Sequence, residues 1–212
     1  MGSTRLPGKV LMNIGNRSLL EHIFFRLTFL KHYAKIVIAT SLNSQDNIIE
    51  EFCSARNIEC FRGDEHNVLK RYYQCAQKYA FERIVRLTAD NPFTDIEELD
   101  HLIDSFRAHH SDYANSFDEL PVGVGAEIFS FQALEKSYFE GREPHHLEHV
   151  NEYMLENPDI FKTSILQVSN SKRRPDIRLT IDTMEDYIKA CYIVNNSTTE
   201  YITTEEAIEL CL

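Results

Sequence analysis

The sequence has 212 residues with a formal net charge of −11, and 43% of its residues are apolar. This length suits one domain, and the acidic balance disfavours nucleic acid as a partner, because nucleic-acid binding needs a basic face. No apolar stretch is long enough to span a bilayer and no apolar signal segment opens the chain, so a membrane partner is not expected.

Five cysteines are spread along the chain without paired spacing. An odd number without a CxxC-like pair argues against a disulfide framework and against a zinc site. The sequence therefore predicts reduced thiols and a cytoplasmic location.

Helix-like and strand-like segments alternate along the first half of the chain. The apolar spacing predicts helices over 19–27, 44–56, 67–80 and 94–109, and strands over 35–40, 59–62 and 83–90. Strands separated by helices of this length are typical of βαβ units, which place helices on both faces of a mostly parallel sheet.

The alternation weakens after residue 110. Short strands are predicted at "DYANS" and over 126–131, 161–168 and 177–182, with helices over 145–157, from Thr183 and from a capping-box pattern at Thr203 and Glu206. The simplest interpretation is a single α/β domain over 1–212, with a mixed sheet and a small insertion near residues 110–175.

The opening segment "MGSTRLPGK" is rich in potential phosphate ligands. It is not a Walker A loop, since five residues separate Gly2 from Gly8 and Val10 follows Lys9. Its backbone amides, its hydroxyls and the charges of Arg5 and Lys9 could still neutralise a triphosphate. The alternative is a flexible terminus with incidental glycines.

Two predicted strands end in similar segments, "RLTAD" and "RLTID". Asp90 and Asp182 each follow a strand, and Arg86 and Arg178 each stand four residues earlier. Asp90 alone could form an Asp-Asn-Pro turn, and Asp182 alone could begin a helix with Thr183 and Asp186 as its capping pair. Two carboxylates in one crevice would instead hold a metal ion for phosphoryl or nucleotidyl transfer.

Four blocks resemble the cytidylyltransferases that make CMP-sugars, in the same order and over nearly the whole chain. They are "GSTRLPGKVLMNIGNRSLLEHIFFRL", "GDEHNVLKRYYQCAQKY", "IVRLTADNPFTDIEELDHLI" and "RLTIDTMEDY". The likeness is greatest to the branch named for spore coat polysaccharide biosynthesis protein F. It implies a three-layer, Rossmann-like nucleotide-sugar-transferase fold, a homodimer, and attack of a sugar hydroxyl on the α-phosphorus of CTP.

The resemblance also implies roles for individual residues. Asp90 and Asp182 match the carboxylates that hold Mg²⁺, and Lys9 and Arg5 are catalytic candidates that would stabilise the leaving pyrophosphate. The nucleotide-binding positions are Gly2, Ser3, Thr4, Arg5, Lys9 and Arg86.

The sugar-binding positions are implied less directly. Glu127 stands where the branch places an acidic residue near the sugar, Arg178 is a further substrate-binding candidate, and "HHLEHV" supplies Glu148 and His149. In that segment Leu147 replaces the arginine of the family pattern, which leaves the identity of the sugar open. The histidines at 145, 146 and 149 form either a solvated helix face or, with unfavourable spacing, a metal site.

Members of the family carry a further strand before the opening loop, whereas this sequence begins inside the first motif. The leading hypothesis is a cytidylyltransferase that activates an acidic, nonulosonic-acid-like sugar for surface polysaccharide synthesis. The alternatives are a nucleotidyltransferase for another base or a sugar phosphate, and a truncated, non-catalytic nucleotide-binding paralogue.

Overall fold

The computed structural model describes residues 1–3 and 5–212. Its helices are α1 (Leu19–Leu27), α2 (Asn47–Ala55), α3 (Val68–Lys78), α4 (Ile96–His109), α5 (Phe131–Glu140), α6 (Pro144–Glu148), α7 (Glu152–Glu156), α8 (Met184–Asn196) and α9 (Thr204–Glu209). Its strands are β1 (Asn13–Ile14), β2 (Arg17–Ser18), β3 (Val37–Ser41), β4 (Glu59–Gly63), β5 (Arg83–Arg86), β6 (Tyr113–Asn115), β7 (Glu127–Ser130) and β8 (Thr163–Ile165).

The described strands form three sheets, β1–β2, β3–β4 and β5–β7–β6–β8, and the four-stranded sheet is mixed, as predicted. Parallel pairs join β3 to β4 and β6 to β8, while β7 lies antiparallel between β5 and β6. The predicted strand over 177–182 forms only one isolated parallel bridge, between Val122 and Arg178, and is otherwise extended chain.

The helix predicted over 145–157 is wrong as one element. The chain leaves the helical conformation at His149, whose φ and ψ are −113° and 107°, and resumes it at Glu152. Val150 between the two short helices is fully buried in the core beside β6 and β7. Burial of this side chain outweighs the helical periodicity of the segment.

An apolar groove separates β3 from β5. Among residues 1–3 and 5–212, β3 pairs only with β4 and β5 pairs only with β7, so each strand has one edge without a partner. Both edges line one cavity of about 850 Å³, whose walls include Ile23, Ile38 and Val85. The sheet is therefore interrupted where these two edges face the cavity.

The backbone at Val122 and Gly123 lies in close contact with the extended chain at 177–182. Gly123 has a φ of +95°, and a Cβ placed on it would lie 2.5 Å from the Thr180 nitrogen. Its neighbour Val122 accepts from the amides of Leu179 and Thr180 at 2.8 and 3.0 Å. Only glycine fits both the left-handed conformation and this separation.

Residues from distant parts of the chain share the core under this region. Leu6, Phe93, Ile181 and Ile193 belong to one buried cluster. That cluster joins the opening loop, the turn after β5, the extended chain and α8, so these four segments have fixed relative positions. No helix in the described part of the chain has the length and apolar character needed to cross a bilayer.

Candidate functional site

Lys9 lies between the two aspartates that the sequence places at strand ends. Its Nζ is 3.0 Å from Asp90 Oδ2 and 2.8 Å from Asp182 Oδ1, and it donates to the Ile181 carbonyl at 2.7 Å. An ammonium group has three hydrogens, so these contacts use all of its donors. The predicted carboxylates therefore do share one crevice, and a side-chain cation bridges them.

Backbone contacts hold the two aspartates in place. The Ile181 amide donates to the Asp90 carbonyl at 2.9 Å. On the other side, Asp186 Oδ2 accepts from the amides of Asp182 and Thr183 at 3.0 and 2.9 Å, which completes the predicted capping box of α8. Thr183 and Asp186 begin the helix, and the Asp182 carboxylate remains available to the crevice.

Positive charge surrounds Asp182. Arg178 donates to its Oδ2, and Arg5 lies 3.3 Å from its Oδ1. Burial raises the pKa of Asp182, but the hydrogen bond and charge of Lys9 and the charge of Arg5 outweigh it, so the pKa lies below its ordinary value. Asp182 is therefore ionised at neutral pH.

The opening loop is a hydrogen-bonded turn fastened to the end of β3. The Met1 amine lies 2.6 Å from Asp46 Oδ1, and Asp46 Oδ2 accepts from the hydroxyls of Thr40 and Ser41, each at 2.6 Å. Ser3 Oγ accepts from the Leu6 amide at 3.3 Å. Gly2 is exposed at the start of this turn. Thr4, the remaining nucleotide-binding prediction in the loop, lies outside the described residues.

A second charged group lies on β5 and β7. Arg86 and Glu127 are directly opposite in the antiparallel register, and the guanidinium donates to Glu127 Oε1. Tyr113 Oη donates to Glu127 Oε2 at 2.8 Å. The Glu127 side chain is fully buried whereas Arg86 is 19% exposed, so Arg86 is the member of the pair that a ligand can reach.

Both partners of Glu127 in this group, Arg86 and Tyr113, have a raised pKa. Burial lowers the pKa of the Arg86 guanidinium, but Tyr72 and Glu127 raise it by a larger amount, so the pKa lies above its ordinary value. Burial and the adjacent Glu127 carboxylate raise the pKa of Tyr113, which keeps the phenol protonated as a donor. Glu127 thus holds the cationic side chain of Arg86 in one position.

The other predicted substrate residues lie along the groove. Glu148 and His149 are exposed and line the same cavity as Arg86. The structure therefore distributes the predicted residues over two groups. One contains Arg5, Lys9, Asp90, Arg178 and Asp182, and the other contains Arg86 and Glu127 with Glu148 and His149 along the groove.

The donor set around Lys9 fits a hard divalent cation. Mg²⁺ prefers carboxylate oxygens, and Asp90 and Asp182 already approach a single cationic nitrogen from two sides. Asn91, next to Asp90, has a buried Oδ1 without a hydrogen-bond partner in residues 1–3 and 5–212.

A second cluster, formed by His145, His146 and Glu156, does not fit a metal ion in this arrangement. Their candidate donor atoms lie within 4.8 Å of one another. His146 Nδ1 accepts from the Glu143 amide at 3.2 Å, so its Nε2 carries the proton that is donated to Glu156 at 2.7 Å. A protonated ring nitrogen has no lone pair for a metal, so this cluster joins α6 to α7.

The structure adds two residues to the candidate site, Asp46 and Tyr113, for which the sequence carries no clear signal. Asp46 lies in a segment that reads as the start of a helix, yet it fastens the opening loop. Tyr113 stands in a short strand with weak patterning, and its link to Glu127 depends on the pairing of β6 with β7. Knowledge of that register would have identified Tyr113, because the two strands bring their side chains to one face.

This chain is similar to cytidylyltransferases over nearly its whole length. The family model described as "Cytidylyltransferase" matches residues 1–211. The spore coat polysaccharide biosynthesis protein SpsF of Bacillus subtilis is 38% identical over 199 residues, which are 91% of this chain and 82% of that protein.

Two solved structures extend the comparison. A cytidylyltransferase from Leptospira borgpetersenii is 32% identical with a TM-score of 0.91, over 99% of this chain and 89% of that chain. A CMP:2-keto-3-deoxy-manno-octonic acid synthetase complexed with CTP is 16% identical with a TM-score of 0.67, over 92% of this chain and 94% of that chain.

Proposed function

Because this chain belongs to the cytidylyltransferase family, we propose that it transfers CMP from CTP to a sugar hydroxyl and releases pyrophosphate. The family match confirms the resemblance carried by the four sequence blocks, and the superpositions confirm the fold class. The observation that carries the reaction is the convergence of Asp90, Asp182 and Lys9 in one crevice. Two carboxylates with an adjacent cation suit a transfer in which charge develops on phosphate oxygens.

The residues of the crevice have separate tasks in this proposal. Asp90 and Asp182 would hold Mg²⁺, which when bound would neutralise phosphate oxygens and withdraw developing charge. Arg5 is 63% exposed beside Asp182, where it can stabilise the leaving pyrophosphate through charge-assisted hydrogen bonds. Arg178 holds Asp182 in position, and its side chain is 41% exposed, so a substrate in the crevice could reach it.

CTP is the proposed nucleotide because the synthetase of the same fold was solved with CTP. The resemblance assigns Arg86 to the nucleotide, but its contact with the sugar-binding candidate Glu127 leads us to propose that it binds the sugar instead. An acidic sugar is the proposed acceptor because Arg86 offers a permanent positive charge, held in place by Glu127. Such a guanidinium suits a carboxylate that it can bind through two parallel hydrogen bonds. The name of SpsF supports surface polysaccharide synthesis as the destination of the product.

The groove supports a proposal about the strand that the family resemblance places before the opening loop. A strand seated there would satisfy the free edges of both β3 and β5 at once. Met1 lies near the end of β3, where its amine contacts Asp46.

We further propose that the protein is a homodimer and that it is located in the cytoplasm. Phe117, Phe139, Leu155 and Ile160 are exposed apolar side chains within the predicted insertion at 110–175. A second copy would remove such surface from water. Sedimentation at several protein concentrations tests the homodimer, and a monomer at every concentration would contradict it.

Two assays test the reaction. In the first, the melting temperature is measured with each of the four ribonucleoside triphosphates, with and without Mg²⁺. Binding to the folded state raises the melting temperature, and we expect the largest rise with CTP and Mg²⁺ together. Equal rises with all four nucleotides would contradict selectivity for CTP.

The second assay measures pyrophosphate release with matched acceptors. The acceptors are 2-keto acid sugars, neutral sugars and sugar phosphates, each supplied with CTP and Mg²⁺. We expect release only with the carboxylate-bearing sugars. Pyrophosphate release with sugar phosphates alone would show that the acceptor is a sugar phosphate and not an acidic sugar. No release with any acceptor would favour the hypothesis of a non-catalytic nucleotide-binding paralogue.

A further inference from the structure

Lys9 and the proposed metal ion require the same position. The Lys9 Nζ is 3.0 Å from Asp90 Oδ2 and 2.8 Å from Asp182 Oδ1, and Mg²⁺ binds carboxylate oxygens at about 2.1 Å. Two cations cannot both lie between these carboxylates. We propose that Lys9 is a displaceable internal cation, which holds Asp90 and Asp182 together in the nucleotide-free protein and leaves them when a divalent ion arrives.

This inference rests on the proposed function, because it takes Asp90 and Asp182 as the metal-binding pair. The Lys9 side chain is 10% exposed and its three donors are all used. Among the described residues, removal of the ammonium alone would leave Asp182 with Arg5 and Arg178 but would take from Asp90 its ion-pair partner, which is costly in a partly buried site. Lys9 therefore departs only as another cation takes its place.

The local backbone permits this exchange without a change of fold. Lys9 begins a single 3₁₀ turn directly after Gly8, and its charge sits at the end of a flexible four-carbon chain. Asp182 keeps its contacts with Arg178 and Arg5 when Lys9 moves. The metal-binding carboxylate is thus still oriented, and the ammonium becomes available to phosphate oxygens.

The exchange makes metal and nucleotide binding cooperative. A free divalent ion must displace Lys9 without offering the ammonium a new partner. A divalent ion bound to a nucleoside triphosphate supplies phosphate oxygens that accept the displaced ammonium. We therefore expect the metal–nucleotide complex to bind more tightly than the separate affinities predict, with equal coupling in both directions.

The test measures Mn²⁺ binding without nucleotide, by the electron paramagnetic resonance signal of the free ion. Lys9→Met keeps the length of the side chain and removes its charge. We expect Lys9→Met to bind Mn²⁺ about tenfold more tightly than the unsubstituted chain, because the competing cation is gone. Lys136→Met is the matched control, since within the described residues Lys136 pairs only with Glu140, on the exposed face of α5, and the Mn²⁺ affinity of this variant should not change.

The outcomes separate this inference from the proposed function. Equal Mn²⁺ affinity of the unsubstituted chain and Lys9→Met would overturn the exchange while leaving the metal site. Binding to neither would overturn both the exchange and the Mg²⁺ part of the proposed function.

A second measurement does not depend on the folding of a variant. The rate of reductive methylation of Lys9 in the unsubstituted chain should rise when Mn²⁺ is added, because the ammonium loses its buried contacts. A rate that stays constant at saturating Mn²⁺ would overturn the exchange.

Discussion

At the scale of a single residue, substitution of Asp182 tests whether its charge contributes to catalysis or only to the fold. Asp182→Asn keeps the shape of the side chain and removes the charge that faces Lys9, Arg5 and Arg178. We expect pyrophosphate release to fall about 100-fold or more, the size of effect seen when electrostatic stabilisation of a transition state is removed. Circular dichroism should show an unchanged fold.

The matched control for this prediction is Asp176→Asn. Asp176 is exposed and pairs with Arg174, in the segment just before the same extended chain. It should retain full activity. Normal turnover by Asp182→Asn would remove Asp182 from the proposed metal-binding pair.

Glu127 provides the second test at this scale. Glu127→Gln keeps the shape but leaves the partly buried Arg86 without its counter-charge. We expect the free energy of unfolding to fall by about 2 kcal/mol, the loss typical of a charged hydrogen bond. If Arg86 binds the sugar, the KM for the sugar should rise while the KM for CTP stays the same.

Urea denaturation and steady-state kinetics measure both effects. Glu51→Gln, at an exposed position on α2, is the control and should change neither quantity. An unchanged KM for the sugar in a folded Glu127→Gln variant would contradict the positioning role of Glu127.

Sequence patterns predicted the strand-end aspartates but not the contacts that Lys9 makes with them. Asp90 and Asp182 were recognisable because each follows an apolar run and the two segments resemble one another. The position of the Lys9 ammonium depends on how the opening loop crosses two distant segments, which no local pattern encodes. Glu127 was predicted as a substrate contact, and that role stays a prediction; its carboxylate is fully buried and is contacted by Arg86 of β5 and Tyr113 of β6.

At the scale of secondary-structure elements, helix ends with side-chain caps were the most predictable. The helix predicted over 19–27 has the observed bounds, and it begins with a complete capping box of Ser18 and Glu21. The strand predicted over 83–90 ends at Arg86 instead, because Asn91 donates back to Thr88 and the chain turns. Where local signals are weak, as in 145–157, packing decides the outcome.

Asp46 links the opening loop to β3 and gives this connection a pH dependence. Burial raises the pKa of Asp46, but bonds from the Met1 amine, Ser41 and Thr40 outweigh it, so the pKa lies below the ordinary value of 3.8. As the pH falls below about 4, Asp46 takes up a proton in the unfolded chain before it does so in the folded chain. The free energy of unfolding therefore decreases toward acid.

Asp46→Asn tests this link. The variant should be less stable than the unsubstituted chain at pH 7, and the difference should narrow as the pH falls below about 4, because Asn does not titrate. Urea denaturation at pH 7, 5, 4 and 3 measures it. A difference that stays constant over this range would show that the ionised form of Asp46 does not stabilise the loop.

At the scale of the whole molecule, we predict that the groove between β3 and β5 can accept an added strand. A version extended before Met1 by about six β-branched residues should place a strand between the two free edges. We expect the melting temperature to rise by more than about 5 °C, since the strand would pair on two sides and bury apolar surface.

The control for this extension has the same length but consists of Gly, Ser and Asp residues. These residues have low strand propensity and would not fill an apolar cavity. Equal melting temperatures for the two extended forms would show that the groove does not accept a strand.

Gly123 restricts how this protein can vary during evolution. Any larger residue at this position would meet the Thr180 backbone, and the shift would pass along the extended chain to Asp182. On the proposed function, acceptor preference would change through exposed positions on the rim of the groove, such as Glu148 and His149, while position 123 stays closed to substitution. Libraries built to alter acceptor choice should vary the rim and leave this glycine fixed.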